Sequence, residues 1–415
     1  NVVQSKPPVA NPPAPPENNL PRFLNYYADY SGCGHWRMIW PEQVMNAHSK
    51  AVVHGTTVMN VDERYYIQTK GIRIQRQATP QQLEFVKWLR KVADKNNFRL
   101  IYEIDDICFA EDIPDYNKYK TAFEDPSIRK SAQEMMSICD EITVTCPFMR
   151  DYYRDKTGNQ NVTVLPNFMP KFWLDRFYDN NRTMESFDRN KRKPRILYAG
   201  SGAHFDVENR VKFKDDFYHV NEVIRKTVDK YTWVFLGAHP LPIRDLVQSG
   251  KVEFHPWKRL FEYGQGLYDL NVNMVVAPLQ NNTFNKAKSD LKYIEACALG
   301  LPIACQDLCT YENAPIRFNT GDEMIAQIET TLQDRKRYKS LCKKARQYAD
   351  TRWLEDDKNI DCYTGKRIKV TTSYDPYLYV EGKGDYESIF GTKLVKKSFR
   401  TQYDRFKYIK DTGIK

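Results

Sequence analysis

The strongest constraint on the fold is an alternation between short apolar runs and helix-spaced stretches, played out twice along the chain. Residues 99–104 (RLIYEI), 141–145 (EITVT) and 162–165 are β-rich runs. Between them, 80–96 places Leu83, Val86, Leu89 and Val92 at helical spacing, and 128–139 reads likewise. After a polar, basic stretch over 180–195, which contains NKRKPR, the alternation restarts. Strands are predicted at 196–199, 233–236, 252–255, 272–277 and 303–305, with helices near 216–229, 257–270 and 287–299. Strands that alternate with helices build parallel sheets covered on both faces. Two such series predict an α/β chain of two facing, doubly wound, Rossmann-like domains, over 22–175 and 176–355. The second closes on a long basic helix over 334–353. A proline-rich arm (1–21, seven prolines) precedes them, and a basic, aromatic tail (356–415) follows.

With 41% hydrophobic residues over 415 positions, the chain has apolar material for more than one core, which excludes a wholly disordered protein. No apolar run approaches eighteen residues, so no membrane-spanning helix is expected. The amino end carries no secretory-signal pattern, and a cytoplasmic protein is expected. Nine cysteines without paired C-x-x-C spacing, and seven scattered histidines, predict reduced thiols and no structural metal. Sixty-three basic against 53 acidic residues give a net charge of +10, which favours a polyanionic partner or an anionic ligand. Half of that excess lies in 361–415, where twelve Lys or Arg and seven Asp or Glu are interleaved with ten Tyr or Phe.

Four segments carry side chains suited to chemistry. Gly32-Cys33-Gly34-His35-Trp36-Arg37 follows a strand-like run; such a glycine turn lets backbone approach a phosphate, and Arg37 supplies a bidentate cation. It lacks the third glycine of a dinucleotide fingerprint, and a tight turn around a packed Trp is the alternative. Glu103-Ile104-Asp105-Asp106 ends a strand, where ligands collect in open α/β sheets. Asp105 or Asp106 is placed to take a proton from an acceptor hydroxyl or to bind a sugar, unless Asp106 simply caps the next segment. Gly200-Ser201-Gly202-Ala203-His204-Phe205-Asp206 is a second small-residue turn at a strand end, with His204 and Asp206 as its polar occupants. The fourth segment is 284–303, in which a strand, a loop, a helix, Gly300 and Pro302 follow one another. There Lys288 and Ser289 fall at a helix N-terminus, and Lys288, Lys292 and Glu295 share one face at i, i+4 and i+7.

The run FNKAKSDLKYIEACALGLPIA resembles the donor-nucleotide segment of retaining glycosyltransferases of the GT-B fold, in the broad family 4 group. The GSGAHFD turn, the TVTCPFM and VTVLPNF segments and the long late helix match as well, over roughly 22–355. The resemblance implies a UDP-sugar held mainly by the second domain and an acceptor held mainly by the first. It places Glu295 on the ribose and Lys288 with Ser289 on the diphosphate, and Gly34, Gly200 and Ser201 along the phosphate cleft. One departure is Ala287, where the family often has a Glu eight residues before the ribose-binding Glu. YYADYSGCGHWRMIWP and YEIDDICF, together with this block, also resemble glycosyltransferases of T-even-type bacteriophages. Some of these add glucose or arabinose to 5-hydroxymethylcytosine in phage DNA, which would place the protein in the cytoplasm of an infected bacterium.

The expectation is therefore a metal-independent enzyme that moves glucose or arabinose from a UDP-sugar to a hydroxyl of hydroxymethylated duplex DNA, with retention and no further cofactor. Lys288 and Arg37 meet the leaving charge, while Asp105, Asp106 or His204 orients the acceptor. Lys393, Lys396, Lys397 and Arg400 of the tail, with Lys191, Arg192 and Lys193, hold DNA beside the cleft. The alternatives are transfer to lipopolysaccharide or capsule precursors, epimerisation of a nucleotide-sugar, and a non-catalytic basic protein that binds DNA or sugar.

Overall fold

The structure, a computed structural model, describes residues 20–364. Tail residues Lys393, Lys396, Lys397 and Arg400 lie outside the described residues.

Two six-stranded sheets carry the fold, and every strand pair in them is parallel. The first holds β1 (Arg22–Tyr26), β2 (Val52–Thr56), β3 (Thr69–Gln75), β4 (Arg99–Glu103), β5 (Glu141–Val144) and β6 (Val162–Val164). The second holds β7 (Arg195–Gly200), β8 (Thr232–Gly237), β9 (Glu253–Pro256), β10 (Met274–Ala277), β11 (Ile303–Gln306) and β12 (Arg317–Phe318). Their orders are β2-β1-β3-β4-β5-β6 and β12-β11-β10-β7-β8-β9. Chain direction along each order reverses once, between β1 and β3 and between β7 and β10. Those are the switch points where open α/β sheets leave a crevice outside the carboxyl ends of the strands. This is the fold class expected from the sequence.

Helices cover both faces, and their ends follow the local chemistry. The helix Pro80–Asn96 starts with a capping box between Thr79 and Gln82 and stops at Asn97, which takes a left-handed conformation with φ 55°. The polar, basic stretch 180–195, for which no helix was expected, contains the helix Asn180–Arg189. Asp179 caps it, and Met184 and Phe187 seat it on the second sheet's core. Polar composition masked it, since only two apolar side chains anchor its buried face.

The chain crosses between the two units twice, side by side. Met169 N–H donates to Arg352 O, and Leu354 N–H to Met169 O, both at 2.8 Å. Beyond this crossing, residues 356–364 return to the first unit. Lys50 reaches Asp357 and Asp361 at 3.3 and 3.5 Å, and the Arg73 guanidinium donates to Tyr363 O.

Arg37 sits where the crossings meet the first core, and the structure corrects its expected role. It lies in a helical stretch from Gly32 to Ala47 whose wide turn, His35–Ile39, buries Trp36, Arg37, Met38 and Ile39 together. Its Nε donates to Glu103 Oε1 at 2.6 Å, and its Nη1 to Leu165 O at 2.7 Å and Asn167 Oδ1 at 2.9 Å. At 1% exposure it faces the core, not a ligand. Removing one partner of a buried ion pair strands the other charge. Arg37→Ala is expected to lower the unfolding free energy by about 3–5 kcal/mol, read from the midpoint of a urea titration.

Candidate functional site

The crevice between the two switch points is lined from both units. On the second unit, β7 runs out into Gly200, Ser201 and the turn Gly202–His204, while β10 leads through Gln280 and Asn282 to Lys288. Gly200 is required by close approach: a Cβ there would lie 2.5 Å from the Tyr198 hydroxyl and 2.9 Å from Lys292 Nζ. Ser201 Oγ accepts from Ala203 N–H at 3.3 Å and so closes the turn.

The helix of the 284–303 segment begins at Leu291, four residues later than the sequence suggested. Its preceding residue, Asp290, makes no side-chain cap, because its carboxylate is drawn to Arg352 at 2.6 Å and Tyr348 at 2.7 Å. The first turn therefore has no side-chain acceptor of its own, a setting that suits an anion. Lys292 Nζ donates to Ala199 O at 2.9 Å, and Glu295 Oε2 accepts from Tyr263 at 3.1 Å. Both line a small cavity with Leu197, Ala199, Tyr263 and Leu267. Burial pushes the Glu295 carboxyl up and the Lys292 ammonium down, and each opposes the other's shift by its charge.

Lys288 precedes the helix and crosses the crevice. Its Nζ is 2.6 Å from Asp106 Oδ2 and 4.0 Å from the Phe284 ring centroid. Burial raises the Asp106 carboxyl pKa, and Lys288 pulls it back. Ser289 Oγ accepts from Asn167 Nδ2 at 3.0 Å, so the loop before this helix is tied to the interdomain crossing. Ala287 is fully buried and packs, with Phe284, into the core of the first unit.

His204 is held by a residue the sequence reading did not single out. Its Nδ1 is 2.6 Å from Asp216 Oδ2, and Asp216 Oδ1 accepts from Tyr116 at 2.7 Å, Gln280 N–H at 2.9 Å and Asn285 Nδ2 at 2.6 Å. Asp206, by contrast, turns away: it accepts from the backbone N–H groups of Arg210, Val211 and Phe213 and anchors their loop.

On the first unit, the switch point gathers Asp29, Cys33, Arg76 and Asp105. Arg76 sits at φ 45°, in the left-handed region, and bridges Asp29 and Asp105, the latter at 3.5 Å. Burial would raise Asp105, but Arg76 and Cys33 outweigh it and leave the carboxyl below its usual range. Arg76 and Asp29 were missed by sequence; the signal for them was position alone, just past β3 and β1. Gly34 is buried against Asp29. Its N–H donates to Asp29 Oδ1 at 3.2 Å, and a Cβ would lie 1.9 Å from Asp29 O.

Lys191, Arg192 and Lys193 are exposed at the amino end of β7. A six-residue strand is about 20 Å long, so these cations lie a strand's length from the crevice at its other end, not beside it. Among the described residues, no group of three or more His, Cys, Asp or Glu is arranged to hold a metal ion, and no helix is long and apolar enough to cross a membrane.

No family model matches the sequence, and no curated protein matches it. Solved structures do resemble the fold. HepE of Anabaena in complex with UDP-glucose superposes with a TM-score of 0.54 at 9% identity, covering 83% of this chain and 98% of that one. The same protein with UDP and glucose gives 0.53 at 8% identity, with the same coverage. An alpha-glucosyltransferase in complex with UDP and a 13-mer DNA containing an HMU base gives 0.49 at 12% identity, over 80% of this chain and 95% of that one. The HepE likeness establishes the architecture as the GT-B arrangement of two facing Rossmann-like units.

Burial, aided by Lys292, pulls His204 down to about 4 against the opposing pull of Asp216. An unfolded imidazole titrates near 6.5. With the folded value depressed, the stabilising contribution is complete above pH 6.5 and is lost as pH falls toward 4. Between neutral pH and about pH 4, the wild-type chain is expected to lose about 3 kcal/mol more stability than His204→Gln. Paired denaturant titrations read this difference, because buried carboxyls that shift the other way, such as Asp215 at about 7, are common to both proteins.

Proposed function

We propose that this chain is a UDP-sugar-dependent glycosyltransferase that transfers glucose or arabinose to a hydroxyl, with retention at the anomeric carbon. The observation that carries the proposal is the convergence of Lys288, Lys292, Glu295 and an uncapped helix N-terminus on the β7/β10 switch point. The UDP and UDP-glucose held by HepE, a protein of the same architecture, support a nucleotide-sugar as the ligand.

The site's task is mainly to hold and neutralise charge. As the bond from the anomeric carbon to phosphate lengthens, negative charge gathers on the departing diphosphate, and the cations and helix end meet it. Lys288 exchanges its Asp106 partner for a phosphate oxygen, and Glu295 takes the ribose hydroxyls. The acceptor oxygen bonds to the anomeric carbon on the face the phosphate leaves, and its proton passes to the leaving phosphate oxygen. Asp106, released from Lys288, and Asp105 orient the acceptor. The buried Arg37 has no part in this step.

The acceptor in this reading is 5-hydroxymethylcytosine in DNA. The likeness of the 26–41 and 102–109 segments to phage DNA glycosyltransferases supports it, as does the net charge of +10.

Incubation of the pure protein with UDP-glucose or UDP-arabinose, with and without hydroxymethylated DNA, is followed by mass spectrometry of the nucleosides. Glycosylated hydroxymethylcytosine is the expected product. Epimerised donor without acceptor, or no chemistry with any donor, would favour the other classes. Lys288→Ala is expected to lower turnover about a hundredfold or more. Turnover near wild type in a folded Lys288→Ala protein would remove Lys288 from the diphosphate site.

A further inference from the structure

The carboxylate of Asp216 is buried at the crevice and bonded from both units. It is 4% exposed and takes four hydrogen bonds. Oδ1 accepts from Tyr116 on the first unit and from Gln280 N–H and Asn285 Nδ2 on the second. Among the described residues that leaves Oδ2 to His204 Nδ1.

A carboxylate can only accept, so the imidazole must carry a proton on Nδ1. At neutral pH the ring, with its pKa drawn down to about 4, holds only that one proton, and Nε2 is a bare lone pair. Among the described residues Nε2 has no protein partner, and the His204 side chain is 14% exposed at the carboxyl end of β7. The charged groups that act on it are Asp216, Lys288 and Lys292, the two lysines being crevice residues. A lone pair needs a donor. The oxygens of a diphosphate at neutral pH have no proton to offer, whereas sugar hydroxyls do.

We infer that Asp216 is a positioning residue that holds His204 with its proton on Nδ1, so that Nε2 accepts a hydrogen bond from a hydroxyl of the donor sugar. Tyr116 ties that orientation to the first unit. Its hydroxyl meets Asp216 at 2.7 Å and also accepts from Asn285 Nδ2 at 3.0 Å. The carboxylate that sets the imidazole thus takes one of its four hydrogen bonds from the first unit. This inference rests on the donor-site reading above and adds to it the chemical class His204 recognises.

The test separates the two. In Asp216→Asn the amide oxygen stays with the three donors at Oδ1, and its NH₂ faces His204. The imidazole proton must then move to Nε2, and the acceptor lone pair is lost. Nitrogen-15 NMR of the imidazoles is expected to report an Nδ1–H tautomer for His204 in the wild-type chain and Nε2–H in the variant. Turnover should fall about a hundredfold or more, because the wrong tautomer cannot accept. Affinity for UDP, which lacks the transferred sugar, should change less than threefold. Tyr116→Phe keeps the Asp216–His204 bond and should lower turnover about tenfold with the tautomer unchanged. An Nε2–H tautomer in the wild-type chain overturns the inference even if Asp216→Asn fails to fold. So does unaltered turnover in a folded Asp216→Asn protein. Failure of the wild-type chain to bind UDP overturns the donor-site reading itself, and the inference with it.

Discussion

The geometry of the crevice depends on one side-chain amide, that of Asn167. Arg37 has only donors, so the Asn167 oxygen must face it, and the amide nitrogen is then committed to Ser289 Oγ. The Asn167 carbonyl accepts from Arg352 Nη1 at 3.1 Å, and Arg352 in turn holds Asp290. A single residue on the outgoing crossing thus fixes the donor-side loop to a buried ion pair of the first core and to the returning crossing. Because Arg37 is itself pinned to Glu103 at the end of β4, the acidic strand end and the donor-side loop share one reference frame. A carboxylate and a lysine at the two ends of that frame, Asp106 and Lys288, can then meet across the crevice at 2.6 Å.

Charge in the crevice is balanced before any ligand arrives. Lys288 is matched by Asp106, Lys292 by Glu295, and Arg76 by Asp29 and Asp105. Burial disfavours the charged form of each carboxylate, and the facing lysine opposes that shift at both Asp106 and Glu295. Under the proposed function a diphosphate replaces the carboxylate opposite Lys288, and the displaced carboxylate belongs to the acceptor side. Donor binding and acceptor orientation then draw on the same ion pair.

The sequence made the fold legible where strands are buried on both faces and read as unbroken apolar runs, as in RLIYEI or ILYAG. It concealed β2 and β3, because VVHGT and TKGIRIQ carry His54, Lys70 and Arg73, and nothing local says that Arg73 lies buried against Tyr363 from the far end of the described chain. For the site, legibility followed the strand ends. His204, Lys288, Lys292 and Glu295 stand just after strands or in the helix that follows, where position alone implies a crevice. Asp216 and Tyr116 come from stretches, 205–220 and 104–125, without strand or α-helix (the helix expected from 216 begins at Asn221), and they meet only because the units face each other. Arg37 was misleading for the opposite reason: a cation beside glycines suggests a phosphate, while the flanking Trp36, Met38 and Trp40 mark a buried helix.

Ala287 shows how these constraints reach substrate recognition. The family resemblance puts a carboxylate at this position, where it would bind the sugar ring. Here the residue is fully buried against the first unit, its carbonyl and that of Lys286 lying 3.7 and 3.9 Å from Cys146 Sγ. A Glu at 287 would bury a carboxylate among Phe284 and the thiol, where Lys288, 4.0 Å from the Phe284 ring centroid, is already held by Asp106. The loop can therefore dock on the first unit only because the side chain is a methyl group, and docking brings Asn285 and Asn282 to the Tyr116 hydroxyl. In exchange for a carboxylate that would reach the sugar directly, the chain has a loop that completes the Asp216 network and sets His204. Under the proposed function, recognition of the sugar then falls in part to His204, whose carboxylate partner is bonded from both units.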